Sequence, residues 1–165
     1  MPTLDTILDA IVKREGPFGH HPADKGGATC YGVTIGTFQF LYPGKTVEDL
    51  KALTPEHAGA IYRDVYFIKP GIALLPDFLH AQMLDFAVNS GPGLAIKALQ
   101  ECLGIKADGI CGPKTIAAAT IATPGLNNRL AIWRVMMLSR IVRRDPSQLV
   151  FLSGWSSRAL SFIEP

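Results

Sequence analysis

Residues 15–32 have the sequence EGPFGHHPADKGGATCYG, and this stretch carries the strongest indication of both fold and function. Before it, apolar side chains recur at three- and four-residue spacing over residues 3–14, which predicts an amphipathic helix that stops near a Gly-Pro pair. Glu15 is therefore expected at the carboxyl end of this helix. A second carboxylate, Asp24, follows nine positions later inside a glycine-rich turn.

The residues after this turn predict the element that brings the two carboxylates together. Residues 29–35 are β-branched and aromatic, which favours a short strand or hairpin that holds Asp24 opposite Glu15. Many glycosidases use such a pair about 5 to 10 Å apart, with one group protonating the leaving oxygen and the other activating water or stabilising positive charge. The negative end of the helix dipole disfavours a second negative charge, as a proton donor requires, whereas Lys13 and Arg14 act in the opposite direction. The suitability of Glu15 as the proton donor is therefore expected to depend on burial in a cleft.

The same residues resemble the opening motif of family 108 of the glycoside hydrolases, N-acetylmuramidases that include phage endolysins and proteins of some bacterial secretion systems. The matching runs are EG at 15–16, HPADKGGAT at 21–29 and YGVT at 31–34. Further landmarks follow in the family's order: IYR at 61–63, Tyr66, LP at 75–76, DFAVNSG at 85–91, LQ at 99–100, DG at 108–109, GPKT at 112–115, GW at 154–155 and Arg158. The resemblance covers essentially the whole chain.

This resemblance implies a mainly α-helical, lysozyme-like single domain with a small β-hairpin beside the active-site cleft. Residues 1–83 are expected to form the lysozyme-like catalytic region, and residues 84–165 a helical peptidoglycan-binding-like region packed into the same compact domain. The implied activity is hydrolysis of the β-1,4 bond between N-acetylmuramic acid and N-acetylglucosamine, without a metal or other cofactor. The expected partner is bacterial peptidoglycan, and the protein is expected to be a monomer.

The resemblance also assigns site residues. Glu15 occupies the position of the catalytic acid. Together with Asp24 and Cys30, it repeats the intervals of a three-residue site in the wider group of phage lysozymes, in which the third residue is threonine or cysteine. The expected substrate contacts are Thr29, Tyr31, Tyr62, Tyr66 and Asn89.

Some of these contacts have alternative interpretations. Tyr62 and Tyr66 share a helical face, so at least one of them is expected in the core. Asn89 precedes a Ser-Gly-Pro-Gly break, so it is equally compatible with a helix C-cap.

The rest of the chain is predicted to be mostly helical. The candidate helices span 34–41, 47–52, 55–67, 76–89, 92–103, 113–121, 125–144 and 147–162. Thr54 is expected to cap a helix whose first residue is a proline. The run ADGICGPKT at 107–115 resembles the turn of peptidoglycan-binding modules, with Asp-Gly and Gly-Pro setting two bends.

Composition and cysteine content indicate the class of protein and the compartment in which it is expected. Hydrophobic residues make up 48% and charged residues 18%, which is typical of a globular protein. The chain has three cysteines, Cys30, Cys102 and Cys111, an odd number without the spacing of zinc ligands, which favours a reducing compartment. A disulfide between Cys102 and Cys111 is an alternative that the sequence leaves undecided. No apolar run has the length of a signal peptide or membrane anchor. The protein is therefore expected in the host cytoplasm until a holin or a secretion system releases it to the cell wall in the periplasm.

Charge is distributed unevenly along the chain. Residues 1–112 hold nine Lys/Arg against twelve Asp/Glu, a net charge of −3, whereas residues 113–165 hold seven against two, a net charge of +5. The arginines predicted to form a cationic face are Arg129, Arg134, Arg140, Arg143, Arg144 and Arg158. This face is either a solvated surface or an attraction site for anionic outer-membrane or wall polymer, above all through Arg140, Arg143 and Arg144. Nucleic acid is not an expected partner, because no recognition motif accompanies the arginines.

Two rival functions compete with the muramidase interpretation. One is a cysteine- or metal-dependent wall peptidase or amidase that pairs Cys30 with one of the four histidines, His20, His21, His57 or His80. Cys30 lacks the helix N-terminus that usually activates a thiolate, and the histidines form no recognised ligand pattern. The other is a non-catalytic wall-binding or secretion-accessory protein of the same fold, which the presence of two carboxylates in the motif disfavours.

Overall fold

The computed structural model of the chain describes residues 3–19, 27–122 and 125–164. Its helices and strands are α1 (Leu4–Glu15), β1 (Thr29–Cys30), β2 (Val33–Thr34), α2 (Ile35–Leu41), α3 (Val47–Lys51), α4 (Pro55–Arg63), α5 (Asp77–Ser90), α6 (Pro92–Cys102), α7 (Pro113–Thr120), α8 (Leu126–Arg144) and α9 (Leu149–Leu160). A π-helical turn spans Asp64–Ile68, and short 3₁₀ helices span Ile72–Leu74 and Pro146–Gln148. The mainly helical class and the small hairpin are confirmed.

One predicted helix changes character at its end. The helix expected over 55–67 keeps α geometry only to Arg63 and continues as the π-helical turn. Tyr62 and Phe67 are both buried and lie five positions apart, which is the spacing of a π turn. Sequence periodicity at three and four residues does not distinguish this local widening from a regular helix.

Contacts divide the chain into two units, the first ending at Val65 and the second beginning at Tyr66. The division at residue 84 expected from the sequence stays a prediction. In the first unit, α1 packs against α4. Its buried apolar side chains recur at helical spacing, which is why the sequence pattern located this helix correctly: Ile7, Leu8, Ile11 and Val12.

In the second unit, α5 is the most deeply buried helix, since every residue from 81 to 87 is buried. It packs against α6, and α8 packs against both α6 and α9. A helix that is buried on all sides belongs to the centre of a core. None of the helices in the described ranges has the length and apolar character needed to cross a membrane.

The turn at 107–115 is confirmed, and a buried amide holds it. Gln100 is 1% exposed, and its Nε2 donates to Asp108 Oδ1 at 2.8 Å, to the Ile110 carbonyl at 3.0 Å and to Thr115 Oγ1 at 2.9 Å. The Gly109 N–H donates to Gln100 Oε1 at 2.8 Å. These bonds give the turn a structural role, whereas its predicted likeness to glycan-binding modules stays a prediction.

Candidate active site

Glu15 is the last residue of α1, as the sequence predicts. Gly16 ends the helix with φ of +70°, and its N–H donates to the Val12 carbonyl at 3.3 Å. The Glu15 side chain is 40% exposed, and its Oε1 lies 3.5 Å from Arg14 Nε. This carboxyl group is thus accessible to a substrate while its backbone is fixed by the helix end.

The predicted hairpin forms directly beside Glu15. Strands β1 and β2 pair antiparallel, with Thr29 opposite Thr34 and Cys30 opposite Val33. Tyr31 and Gly32 make the two-residue turn with φ of +49° and +75°. Positive φ at both positions is the requirement of a tight hairpin turn, and it is unusual for tyrosine.

Gly32 lets the hairpin turn approach Glu15 closely. A Cβ atom at this position would overlap the Tyr62 hydroxyl and would lie 2.8 Å from Glu15 Cγ. The Tyr62 hydroxyl donates to the Tyr31 carbonyl at 3.1 Å, so α4 supports the same turn. The stem of Glu15 is therefore packed between the end of its own helix and a hairpin turn that α4 holds in place.

Replacing Gly32 with alanine should displace Glu15. We expect a loss of about 1–3 kcal/mol of stability from backbone strain at positive φ and a fall of about 10- to 100-fold in hydrolysis from misplacement of the carboxyl group. Thermal unfolding and peptidoglycan turnover measure the two effects. Gly44→Ala is the matched control, because Gly44 also has positive φ but its Cβ would meet open space. Equal activity of the two variants would contradict the packing role of Gly32.

Asp24, the second predicted carboxylate, lies outside the described residues. The segment that contains it is flanked by an antiparallel bridge, in which the N–H of Gly19 donates to the Thr29 carbonyl and the N–H of Thr29 to the Gly19 carbonyl, both at 2.8 Å. Thr29 itself is half-buried. Its Oγ1 lies 3.5 Å from the Gly19 carbonyl. The bridge involves Gly19 and Thr29 alone, and the role of Asp24 stays a prediction.

Cys30 is a residue of β1, and its side chain is buried in the core. It is 2% exposed, and its Sγ is 4.0 Å from the Leu53 carbonyl oxygen. Burial raises the pKa of the Cys30 thiol, which disfavours the thiolate. Its predicted catalytic role stays a prediction, and its position favours packing of the hairpin against the core over contact with a substrate.

The two tyrosines of the first unit differ in exposure. Tyr62 is 5% exposed, which agrees with the expectation that at least one of the paired tyrosines belongs to the core. Its ring is therefore poorly placed to stack on a sugar, although that contact stays a prediction. Tyr31 is half-buried and lines an open cavity in the same unit.

This cavity has a volume of about 700 Å³ and lies between α1 and α4. Gly16 and Tyr31 line it, so it adjoins the end of α1 that carries Glu15. Its charged lining residues are Asp5, Asp9, Lys13, Glu56 and Arg63. The sequence interpretation missed them, although the first three recur every four residues and so share one face of a helix.

Tyr66 and Asn89 belong to the second unit. Tyr66 lies in the π-helical turn, and burial raises the pKa of its hydroxyl. Asn89 is exposed near the end of α5, where its Nδ2 donates to the Asp85 carbonyl at 2.6 Å. A bond to the residue four positions earlier supports the capping interpretation, and the substrate contact of both residues stays a prediction.

The predicted cationic face is smaller than expected. Arg134 is 5% exposed and Arg158 is half-buried, and both bind the buried carboxylate of Asp85. The expectation that these two arginines contribute to the face is wrong, because a buried carboxylate on another helix pairs with them. Arg140 and Arg143 are exposed on α8, as is Arg144, so the predicted centre of the face remains.

No group of three or more histidine, cysteine, aspartate or glutamate side chains in the described ranges is arranged to hold a metal ion. His20 and His21, named in the peptidase alternative, lie outside those ranges. His80 is engaged within the second unit, where its Nε2 lies 2.7 Å from the Leu75 carbonyl. The metal-dependent alternative gains no support from the part of the site that is described.

Comparisons with known proteins identify the family. The model described as glycosyl hydrolase 108 matches residues 8–91, and the model described as a predicted peptidoglycan domain matches residues 94–160. Among solved structures, SagA of Brucella abortus is similar, with 32% identity over 96% of this chain and 94% of that chain and a TM-score of 0.72. No match was found among curated proteins. The chain belongs to the glycosyl hydrolase 108 family and is a peptidoglycan hydrolase of the N-acetylmuramidase type.

Proposed function

We propose that Glu15 is the general acid that protonates the glycosidic oxygen, and that Asp24 is the second carboxylate, which activates water or stabilises the developing positive charge. The observation that carries this proposal is the packing of the Glu15 stem against Gly32 at the hairpin turn. A carboxyl group held in one place and open to solvent on one side suits proton transfer to a bound polymer. The test is replacement of each carboxylate by its amide, assayed on purified peptidoglycan with proteins shown to be folded.

A cysteine-dependent peptidase is the weaker candidate. Burial of Cys30 raises the pKa of its thiol, whereas a nucleophilic cysteine needs a lowered pKa and access to the substrate. A non-catalytic wall-binding protein predicts that neither carboxylate matters for lysis. The amide variants therefore separate the muramidase from both alternatives.

We propose that the biological role is that of a phage endolysin. The protein accumulates in the host cytoplasm and reaches the wall after a holin opens the membrane. This proposal is supported by the activity of the family, because hydrolysis of peptidoglycan is the reaction that opens a host cell wall. Expression alone should leave cells intact, and permeabilising the membrane should then cause rapid lysis. Lysis without permeabilisation would contradict a requirement for a holin.

The exposed arginines of α8 should attract the protein to anionic wall or outer-membrane polymer. Replacing Arg140, Arg143 and Arg144 with glutamate should weaken association with whole walls at low salt by about tenfold or more, because each cation near an anionic surface contributes about 1 kcal/mol. Added salt should reduce the difference, since exposed charges are screened within about 10 Å at 0.1 M. Wall sedimentation measures the association, with Lys97→Glu, an exposed lysine on α6 outside the predicted face, as the control.

Equal binding of the triple variant and the parent protein at low salt would show that this face is only a solvated surface. The rate on a short soluble glycan provides the reference for activity, because such a substrate lacks the extended polymer that the arginines are proposed to attract.

A further inference from the structure

A buried ion cluster in the second unit carries an excess of positive charge. Asp85 on α5 is 3% exposed. Arg134 Nη2 on α8 donates to its Oδ2 at 2.6 Å, and Arg158 Nε on α9 donates to its Oδ1 at 2.6 Å. Two guanidinium groups therefore share one carboxylate. The cluster has a formal charge of +1 in a region where an uncompensated charge is unfavourable.

One nitrogen of this cluster has no partner among the described residues. Arg134 Nη1 is buried and donates to no hydrogen-bond acceptor in the described parts of the chain. The Arg134 side chain is 6% exposed, and its guanidinium carbon lies 4.9 Å from the centre of the Phe86 ring and 5.6 Å from that of Phe162. The two rings hold the guanidinium group in place. A buried, fixed donor without an acceptor is the arrangement that a ligand completes.

A cavity of about 220 Å³ meets this arginine. Its polar lining comes from Asn89, Ser90, Arg134 and Arg158. Its apolar lining includes Met137 and Trp155. A lining that combines two cations and an amide with apolar side chains suits a small group that carries one negative charge beside a methyl group.

The residues of the cavity come from both family segments. Asn89 lies in the segment that matches the hydrolase model, whereas Arg134, Trp155 and Arg158 lie in the segment that matches the peptidoglycan model. All four belong to the second contact unit. The cavity is thus a feature of the unit that contains the peptidoglycan-matching segment.

We propose that this cavity binds the terminal carboxylate of the peptidoglycan stem peptide, with the carboxylate beside the guanidinium groups of Arg134 and Arg158 and the terminal D-alanine methyl group against Trp155 and Met137. A planar carboxylate matches the fork of donors on a guanidinium group, and its single charge neutralises the excess of the cluster. The inference rests on the proposed function, because it assumes that the substrate is peptidoglycan.

Fluorescence titration of the full chain tests the proposal directly. The chain has two tryptophans, and Trp155 lines the cavity. In the Trp133→Phe protein, Trp155 is therefore the source of all tryptophan fluorescence. The probe is the tetrapeptide L-alanyl-γ-D-glutamyl-meso-diaminopimelyl-D-alanine, and the same peptide with a terminal amide is its control. We expect saturable binding of the acid and at least about tenfold weaker binding of the amide, since a charged hydrogen-bonded pair is lost. Equal affinity for acid and amide would overturn the proposal.

A matched pair of variants tests the charge requirement without removing either arginine. Met137→Glu introduces a carboxylate one helical turn from Arg134, whereas Met137→Gln introduces a neutral side chain of similar size. We expect Met137→Glu to bind the tetrapeptide at least about tenfold more weakly than Met137→Gln. Equal binding would overturn the proposal. The comparison of acid with amide on the Trp133→Phe protein decides the matter if Met137→Glu does not fold.

Two further titrations separate this inference from others. Inorganic phosphate that competes as well as the tetrapeptide would show an unspecific anion site and overturn the proposal. Glu15→Gln should bind the tetrapeptide as tightly as the parent protein, because Glu15 belongs to the other unit. Loss of hydrolysis without loss of tetrapeptide binding supports both assignments. If the protein cleaves glycan but does not bind the tetrapeptide, the proposed ligand of the cavity is overturned and the proposed function is not.

Discussion

Glu15→Gln should reduce peptidoglycan hydrolysis by about 10²- to 10⁴-fold, because an amide cannot donate the proton that general acid catalysis supplies to the leaving oxygen. The substitution preserves the size of the side chain, so its packing against Gly32 should be kept. The turnover of purified peptidoglycan measures the effect, and thermal unfolding establishes that the variant is folded. Association with whole walls should be unchanged, since it does not depend on proton transfer.

Glu48→Gln is the control for this experiment. Glu48 is an exposed glutamate in the same unit, with a side chain that is 78% exposed and paired with Lys51 at 2.8 Å. It should retain the activity of the parent protein, because exposed ion pairs contribute little to stability. A folded Glu15→Gln protein that keeps more than about a tenth of the parent's activity would remove Glu15 from the role of general acid.

Asp24→Asn should produce the second large loss. If Asp24 activates water or stabilises positive charge, its amide should lower turnover by about 10²-fold or more, because a neutral side chain does neither. Cys30→Ser should stay active, since the Cys30 side chain is buried in the core and the position needs only a small side chain. Turnover of purified peptidoglycan measures both variants. Asp77→Asn is the matched control, because Asp77 is a fully exposed aspartate at the start of α5.

The opposite result has a clear meaning. An inactive Cys30→Ser protein together with an active Asp24→Asn protein would exchange the roles of the two residues and favour the cysteine-dependent hydrolase. Loss of activity in both variants, with folding intact, would place Cys30 in the site despite its burial.

The sequence predicted the fold well because the signals for it are local. The apolar spacing in α1, the threonine caps of α3 and α4 and the short β-branched run of the hairpin each involve neighbouring residues. Glu15 was predicted at the end of α1 for the same reason. The family motif added roles to these positions, since a motif specifies chemistry that periodicity alone does not.

The remaining features depend on contacts between distant residues. Arg134 and Arg158 looked like surface cations in the sequence, and only their pairing with Asp85, at least 49 positions away, buries them. Side chains along a strand point alternately to its two faces, and contact with the core decides that the Cys30 side chain points inward. Sequence spacing contains no information on the pairing of the two arginines with Asp85 or on the inward direction of Cys30.

Analysis of the products tests the central claim most directly. Purified peptidoglycan is digested, the new reducing ends are converted to alcohols with borohydride, and the released muropeptides are identified by mass. We predict that every new reducing end is N-acetylmuramic acid, since the β-1,4 bond from muramic acid to N-acetylglucosamine is the one cleaved, and that Glu15→Gln releases no such product above background. New reducing ends of N-acetylglucosamine, or free stem peptides with the glycan intact, would contradict the assignment of this protein as an N-acetylmuramidase.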